Sequence, residues 1–381
     1  MKLKRVLLVV VSGLISAIGI SQTLYYPDTN WLTKKSGELK MNQQWLDSAV
    51  ALALRSENKV DKDLRIANLK AYANEPGYAV IGPTKLRGGP AGLIIKSGYI
   101  VAQWGDINRV DMTFSATKSV LSTVAGLAVD KGLIRSVHDK LSNYVWDGSF
   151  DGAHNGAVTW EHLLNQSSDW SGTLFGLHDW ADRPPRTGTV DEWKNRKMLA
   201  PGTNYEYNDV RVNLLAYALL QVWRQPLPVV LKEKVMDPIG ASTTWRWYGY
   251  DNSFVNIDGL MIQSVSGGGH HGGGLFINAA DMARFGLLFL RNGKWKSDQL
   301  ISEEWIRMAR QPSAPNKEYG FMWWLNSTGK WPGAPASVYY AVGFGGNYIV
   351  VDPEHDIVVV ARWMDDNKMG ELMKHIIQAT R

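Results

Sequence analysis

Apolar and polar residues follow two different periods along this chain. Gln43 to Leu54 carries apolar residues at helical spacing, inside a polar stretch that runs from Asp28 to Pro76. Ala91 to Ile95 and Tyr99 to Trp104 are short apolar runs separated by Lys96, Ser97 and Gly98, the signature of a hairpin. Phe114 to Val129 is rich in Ala, Val, Leu and other small residues, reads as a buried helix, and has Gly132 at its end. Leu141 to Trp223 reads as helices and loops punctuated by Pro184, Pro185, Pro201 and Gly202. Helices are expected over Asp281 to Leu290 and Ser302 to Arg310. The tail then changes period. Val338 to Val342, Tyr348 to Val351 and Ile357 to Trp363 are β-branched and aromatic runs broken by Gly345, Gly346 and Pro353, and Met369 to Ala379 closes the chain as a helix. Strands near both ends with a long helical stretch between them predict a mixed α/β protein.

The first residues have a pattern of their own. Lys2, Lys4 and Arg5 precede a nearly continuous apolar run from Val6 to Ile20, and polar Ser21, Gln22 and Thr23 follow. This is the layout of an export signal, and no A-x-A cleavage site marks its end, so an uncleaved anchor stays open. The expected location is the periplasm or the exterior, with membrane contact only through such an anchor. The expected organisation is an export segment over 1–23, a sheet domain from 24–134 and 326–381, and a mainly helical domain over 135–325.

Composition narrows the chemistry. The 381 residues are 45% hydrophobic and 20% charged, which is globular usage. The absence of cysteine excludes disulfides, thiolate metal sites and a cysteine nucleophile. Three of the 41 basic residues lie in the export segment, which leaves the remainder near neutral and gives no case for nucleic acid. The adjacent His270 and His271 lack a third ligand at a metal-binding spacing, so no metal is expected, and no cofactor motif appears.

Ser115-Ala116-Thr117-Lys118 is the positive finding. Spaced at i and i+3 on a helix, serine and lysine share one face, and a lysine can accept the serine proton if its charge is suppressed. Ser56 with Lys59 and Ser327 with Lys330 have the same spacing, but the first pair sits in a charged stretch and the second spans Gly329. Only Ser115 opens an apolar helix, where a buried lysine needs a partner and the backbone N–H groups favour an oxyanion.

Around this motif the sequence resembles the serine β-lactamases and penicillin-binding-protein-like hydrolases. Thr113 to Ser119 resembles their first motif. Thr159-Trp160-Glu161-His162-Leu163-Leu164-Asn165-Gln166-Ser167-Ser168 resembles the segment "TW-x-HLL-x-QTS". Pro201 to Asp209 resembles "PGT-x-F-x-YSN", and Gly272-Gly273-Gly274-Leu275 with Asp281 to Gly286 resembles "GGG…D-x-ARFG". The likeness spans Gly92 to Trp363 and is greatest to the branch of 6-aminohexanoate-dimer hydrolase and related carboxylesterases, through Trp104-Gly105-Asp106, Ser168-Asp169-Trp170 and Tyr207 to Arg211. It implies an antiparallel sheet flanked by helices with a mainly helical inserted domain.

The resemblance also implies roles. Ser115 is the acyl-accepting nucleophile and Lys118 eases its deprotonation. Tyr207 is the general base, a role open to a phenol only beside cations; Tyr205 is its rival. Ser115 and Phe344 supply the oxyanion hole from their backbone N–H groups. Two departures stand out. Asp209 fills the third slot of Tyr-x-Asn, where an acid holds Lys118 charged. The Lys-Thr-Gly strand motif is replaced by Ala341-Val342-Gly343-Phe344, with Gly345 and Gly346 as alternative registers. That strand has no Lys or His to bind a substrate carboxylate, which favours an ester or short linear amide as substrate over a penicillin. Trp170, His271, Asp209 and Gly343 are expected in the substrate pocket, and some of Trp180, Trp193, Trp245, Trp247, Trp323, Trp324 and Trp331 along an acyl pocket. Two other readings stay open: a D-alanyl-D-alanine peptidase or β-lactamase, and a non-catalytic binding or sensor module.

Overall fold

A computed structural model describes residues 24–381; the export-signal reading lies outside the described residues. Strands from both ends of the chain form one six-stranded antiparallel sheet. Its order is Trp324–Leu325, Tyr339–Gly343, Asn347–Asp352, Ile357–Arg362, Ala91–Lys96 and Tyr99–Trp104. The expected hairpin is present, with Ser97 and Gly98 at φ 52° and 89°, the left-handed pair that a two-residue turn of right-twisted strands requires.

Both faces of this sheet are covered, and the two-residue period sorts its side chains between them. Leu93, Ile95, Ile349, Val351, Val358 and Val360 enter the core shared with the helices Thr117–Asp130, Asp209–Trp223 and Ala279–Leu290. Ile94, Val350, Val359 and Ala361 point the other way, against Gln43–Arg55 and Met369–Gln378. The Ala279–Leu290 helix comes so close that a Cβ on Gly286 would lie 2.7 Å from Val358.

The middle of the chain holds more strand than the sequence pattern suggests. Arg246–Ile257 and Leu260–Val265 form a long hairpin joined by Gly274–Ile277 to Asp111–Met112, a second antiparallel sheet. Its register shifts between Gly249 and Phe254, so the inward alternation is broken and Asp251-Asn252-Ser253 reads as a turn. This sheet fastens the start of the Thr117–Asp130 helix. Thr113 N and Thr113 Oγ1 both donate to Leu275 O at 2.9 Å, and Leu275 N donates to Thr117 Oγ1 at 3.0 Å. Buried Arg362 ties the two sheets together, donating to Asn347 Oδ1, Ile277 O and Met112 O. Among the described residues no single helix is long and apolar enough to cross a membrane.

Candidate active site

Ser115 lies in the single turn Phe114–Ala116 that leads into the Thr117–Asp130 helix. The residue before it, Phe114, has φ 49°, a left-handed conformation that costs an aromatic residue of order 1 kcal/mol. Burial of its ring edge-on to Phe344, with centroids 5.2 Å apart, holds it there. Lys118 Nζ then donates to Ser115 Oγ at 2.8 Å, as one helical turn allows.

Asp209 reaches Lys118 from the first position of the Asp209–Trp223 helix, with Oδ1 2.7 Å from Nζ; both side chains are buried. Asn208 fixes that helix start. Its Oδ1 accepts from Arg211 N, its Nδ2 donates to Asp179 O, and its backbone N donates to Gln166 Oε1. Burial by itself depresses the Lys118 pKa, but the Asp209 carboxylate and Tyr207 raise it above the ordinary lysine value. Burial pushes the Asp209 carboxyl up, and Arg183, Lys118 and His270 more than reverse this and hold it well below the carboxylate range. Asp209 therefore keeps Lys118 charged, as an acid in that slot implies.

Tyr207 is half-buried, its ring centroid 4.9 Å from Lys118 Nζ and 5.2 Å from the Arg183 guanidinium. Tyr205 packs on Tyr319, which Tyr207 also meets edge-on, and burial raises the Tyr205 hydroxyl pKa. Of the two phenols, Tyr207 is the one beside the cations.

Gly343 ends its strand against the nucleophile. A Cβ there would sit 1.9 Å from Thr113 O and 3.0 Å from Ser115 N. The alternative registers point elsewhere, Gly345 toward Trp363 and Gly346 toward Met364. Phe344 follows directly, its ring between Phe114 and Tyr72.

Two pocket expectations are corrected. Trp170 is 2% exposed, and its indole N–H donates to Ser149 O at 2.7 Å; it belongs to the core under the Asp209–Trp223 helix, not to a cleft wall. His271 is also buried, with Nδ1 3.0 Å from Ala79 O and its ring edge-on to Tyr250. Burial and the neighbouring His270 lower its pKa to about 4, so it is neutral at ordinary pH. Among the tryptophans, Trp324 stacks on Tyr207 at 6.1 Å, and Trp180 and Trp193 line a cleft of about 500 Å³ with Arg183 and Pro184. Trp245, Trp247, Trp323 and Trp331 are buried.

The sequence reading missed His270, Arg183, Asp182, Glu75 and Tyr72. His270 Nδ1 lies 3.2 Å from Asp209 Oδ2, and its Nε2 lies 3.1 Å from Glu75 Oε2. Arg183 spans Asp182 at 2.9 Å and Asp209 at 2.7 Å. The doublet of histidines was the one available signal, and the sequence reading took His271 from it rather than His270. Among the described residues, Glu75, Asp182 and His270 bring possible metal ligands within 4.8 Å. Arg183 already occupies both oxygens of Asp182, and Lys118, Arg183 and a charged His270 balance the three acids, so the charges of the cluster pair with one another.

A family model described as Beta-lactamase matches residues 108–370. The chain is 26% identical over 195 residues to an Escherichia coli O157:H7 protein named "Putative D-alanyl-D-alanine carboxypeptidase", a match covering 42% of this chain and 45% of that one. The chain thus spans less than half the length of the curated relatives it matches. Among solved structures it is similar to a "Putative 6-aminohexanoate-dimer hydrolase from Bacillus anthracis", at TM-score 0.52 and 15% identity over 75% of this chain and 77% of that one. It is also similar to a family VIII carboxylesterase, at TM-score 0.56 and 16% identity over 88% and 97%. At these identities the structural likeness concerns the fold alone.

Proposed function

Since the chain belongs to the beta-lactamase family of serine hydrolases, we propose that it cleaves an ester or a short linear amide through an acyl-enzyme on Ser115. The observation that carries this reading is Ser115 itself, with Lys118 Nζ 2.8 Å from its Oγ and the Gly343 end of a strand pressed on its backbone N–H. Ser115 Oγ attacks the carbonyl carbon. Its proton passes to Tyr207 acting as the phenolate, because Lys118, already charged by its pairing with Asp209, is a donor and not an acceptor. The carbonyl electron pair moves onto oxygen, facing the N–H groups of Ser115 and Phe344. The oxyanion then collapses, the alcohol or amine leaves with the proton from Tyr207, and water releases the acid from Ser115 by the same steps.

The strand Tyr339–Gly343 carries no Lys or His at the place where a substrate carboxylate would bind, which supports a neutral ester or amide. The curated relative's name favours a second reading, a D-alanyl-D-alanine peptidase, on a match to less than half of its length. A panel of p-nitrophenyl esters, short linear amides and a chromogenic cephalosporin separates the two. The first reading predicts a burst and turnover with esters or amides, lost in Ser115→Ala. Stable trapping of penicillin at Ser115 with no ester burst would replace it by the second. Action outside the cytoplasm is part of this proposal and rests on the pattern of residues 1–23. Fractionation of producing cells tests it: the enzyme is expected with the periplasm or medium, and recovery in the cytosol would contradict it.

A further inference from the structure

The helix Leu64–Tyr72 and the residues after it precede the segment matched by the family model, yet they reach the catalytic cluster. Tyr72 stacks on His270, with ring centroids 4.2 Å apart, and Glu75 Oε2 lies 3.1 Å from His270 Nε2. The opposite nitrogen, Nδ1, faces Asp209 Oδ2 at 3.2 Å and Asp182 Oδ1 at 3.5 Å. A neutral imidazole has one nitrogen that only accepts, and a carboxylate also only accepts. A histidine hydrogen-bonded to Asp209 through Nδ1 and in ionic contact with Glu75 through Nε2 therefore avoids setting a lone pair against a carboxylate only when both nitrogens carry protons. The charges agree. Glu75, Asp182 and Asp209 are balanced by Lys118, Arg183 and a charged His270, whereas a neutral His270 leaves one buried negative charge unmatched.

From Glu75 to Ser115 these contacts form one alternating line: acid, imidazolium, acid, ammonium, hydroxyl, at 3.1, 3.2, 2.7 and 2.8 Å. We propose that Glu75 and His270 are positioning residues of the hydrolase site, which hold Asp209 so that it shares its charge and leaves the Lys118 ammonium free to donate to Ser115. This rests on the hydrolase reading of the same site. His270 shares Asp209 Oδ2 with Arg183, while Lys118 meets Oδ1. When His270 loses its proton, the surplus negative charge draws Lys118 toward Asp209 and away from Ser115. Every charged or titratable group facing the ring enters this balance: Glu75 and Tyr72 from one side, Asp182 and Arg183 from another, Asp209 and Lys118 below, and neutral His271 alongside. Burial lowers the His270 pKa, but Asp209 and Glu75 outweigh it and raise the value to about 9. Ser115 is therefore expected to lose reactivity on the alkaline side.

The test uses the whole chain, a fluorophosphonate that labels serine, and histidines labelled with ¹³C at Cε1. In the wild type the labelling rate should fall around pH 9, in step with the titration of the one histidine signal that vanishes in His270→Gln. Glu75→Gln, at a half-buried position that tolerates an amide, should move both the His270 titration and the falling limb down by about one pH unit. His270→Gln should remove the limb. A limb unmoved in both variants, or a His270 titration that moves while the limb does not, overturns the positioning role and leaves the hydrolase reading intact. Absence of Ser115 labelling in the wild type at every pH overturns the hydrolase reading, and this one with it.

Discussion

At the scale of single residues, Asp209 decides more than any other side chain outside the Ser-x-x-Lys pair. It stands where the family pattern has an amide, and it meets Lys118, Arg183 and His270 at once. Replacing it by Asn leaves those cations short of one buried anion. The expected loss is about 3 kcal/mol or more, visible as a lower midpoint in thermal or denaturant unfolding. An unchanged midpoint would show that the network contributes nothing to stability. The same substitution removes the group that raises the Lys118 pKa, so the ammonium is lost at lower pH and the alkaline limb of ester turnover should move down. The nucleophile pair was legible in the sequence because one helical turn fixes the relation between positions 115 and 118. The histidine pair was not. Adjacent residues in a loop point where the backbone turns them, and here Gly268 and Gly272 at φ 80° and 89° turn His270 inward and His271 toward Ala79.

Among the elements, the strand ending at Gly343 and the glycine loop before Gly274 press on the nucleophile turn from two sides. A Cβ on Gly268 would lie 2.0 Å from Phe114 O, and one on Gly269 would lie 2.4 Å from Asp209 Oδ2. Gly343→Ala is therefore expected to displace the strand from Ser115 N. It should lower acylation by about 10²–10³-fold, the loss typical of one misplaced oxyanion donor. Gly132→Ala is the control. Gly132 has φ 72° with open space around it, so it should lose stability of order 1 kcal/mol and keep its acylation rate. Equal acylation by Gly343→Ala and wild type would remove Phe344 from the oxyanion hole. Five of the six strands and the main helices were readable because each keeps its own period, while the two-residue edge strand Trp324–Leu325 is too short to show one. The Arg246–Ile257 strand escaped because its bulge breaks that period. Nothing in the sequence tied the Leu64–Tyr72 helix to the site, since its contacts span about 200 residues and involve single side chains.

For the whole molecule, the two histidines give stability opposite dependences on pH. His270 titrates near 9 when folded against an ordinary 6.5, so its contribution is complete below 6.5 and fades as pH rises through 9. His271 titrates near 4 when folded, so its contribution is complete above 6.5 and fades as pH falls through 4. Unfolding midpoints measured from pH 4 to 10 should peak near neutrality. His270→Gln should flatten the alkaline side and His271→Gln the acid side; unaltered slopes in both would contradict the assigned charge states. These charges sit where the two sheets and the Leu64–Tyr72 helix meet beside Ser115, and the nucleophilic role of that serine is the central claim. The most direct measurement is peptide mapping by mass spectrometry after fluorophosphonate treatment. A single adduct on Ser115, absent in Ser115→Ala, is the predicted result. An adduct on any other residue, or an unmodified Ser115 in active protein, would contradict the account.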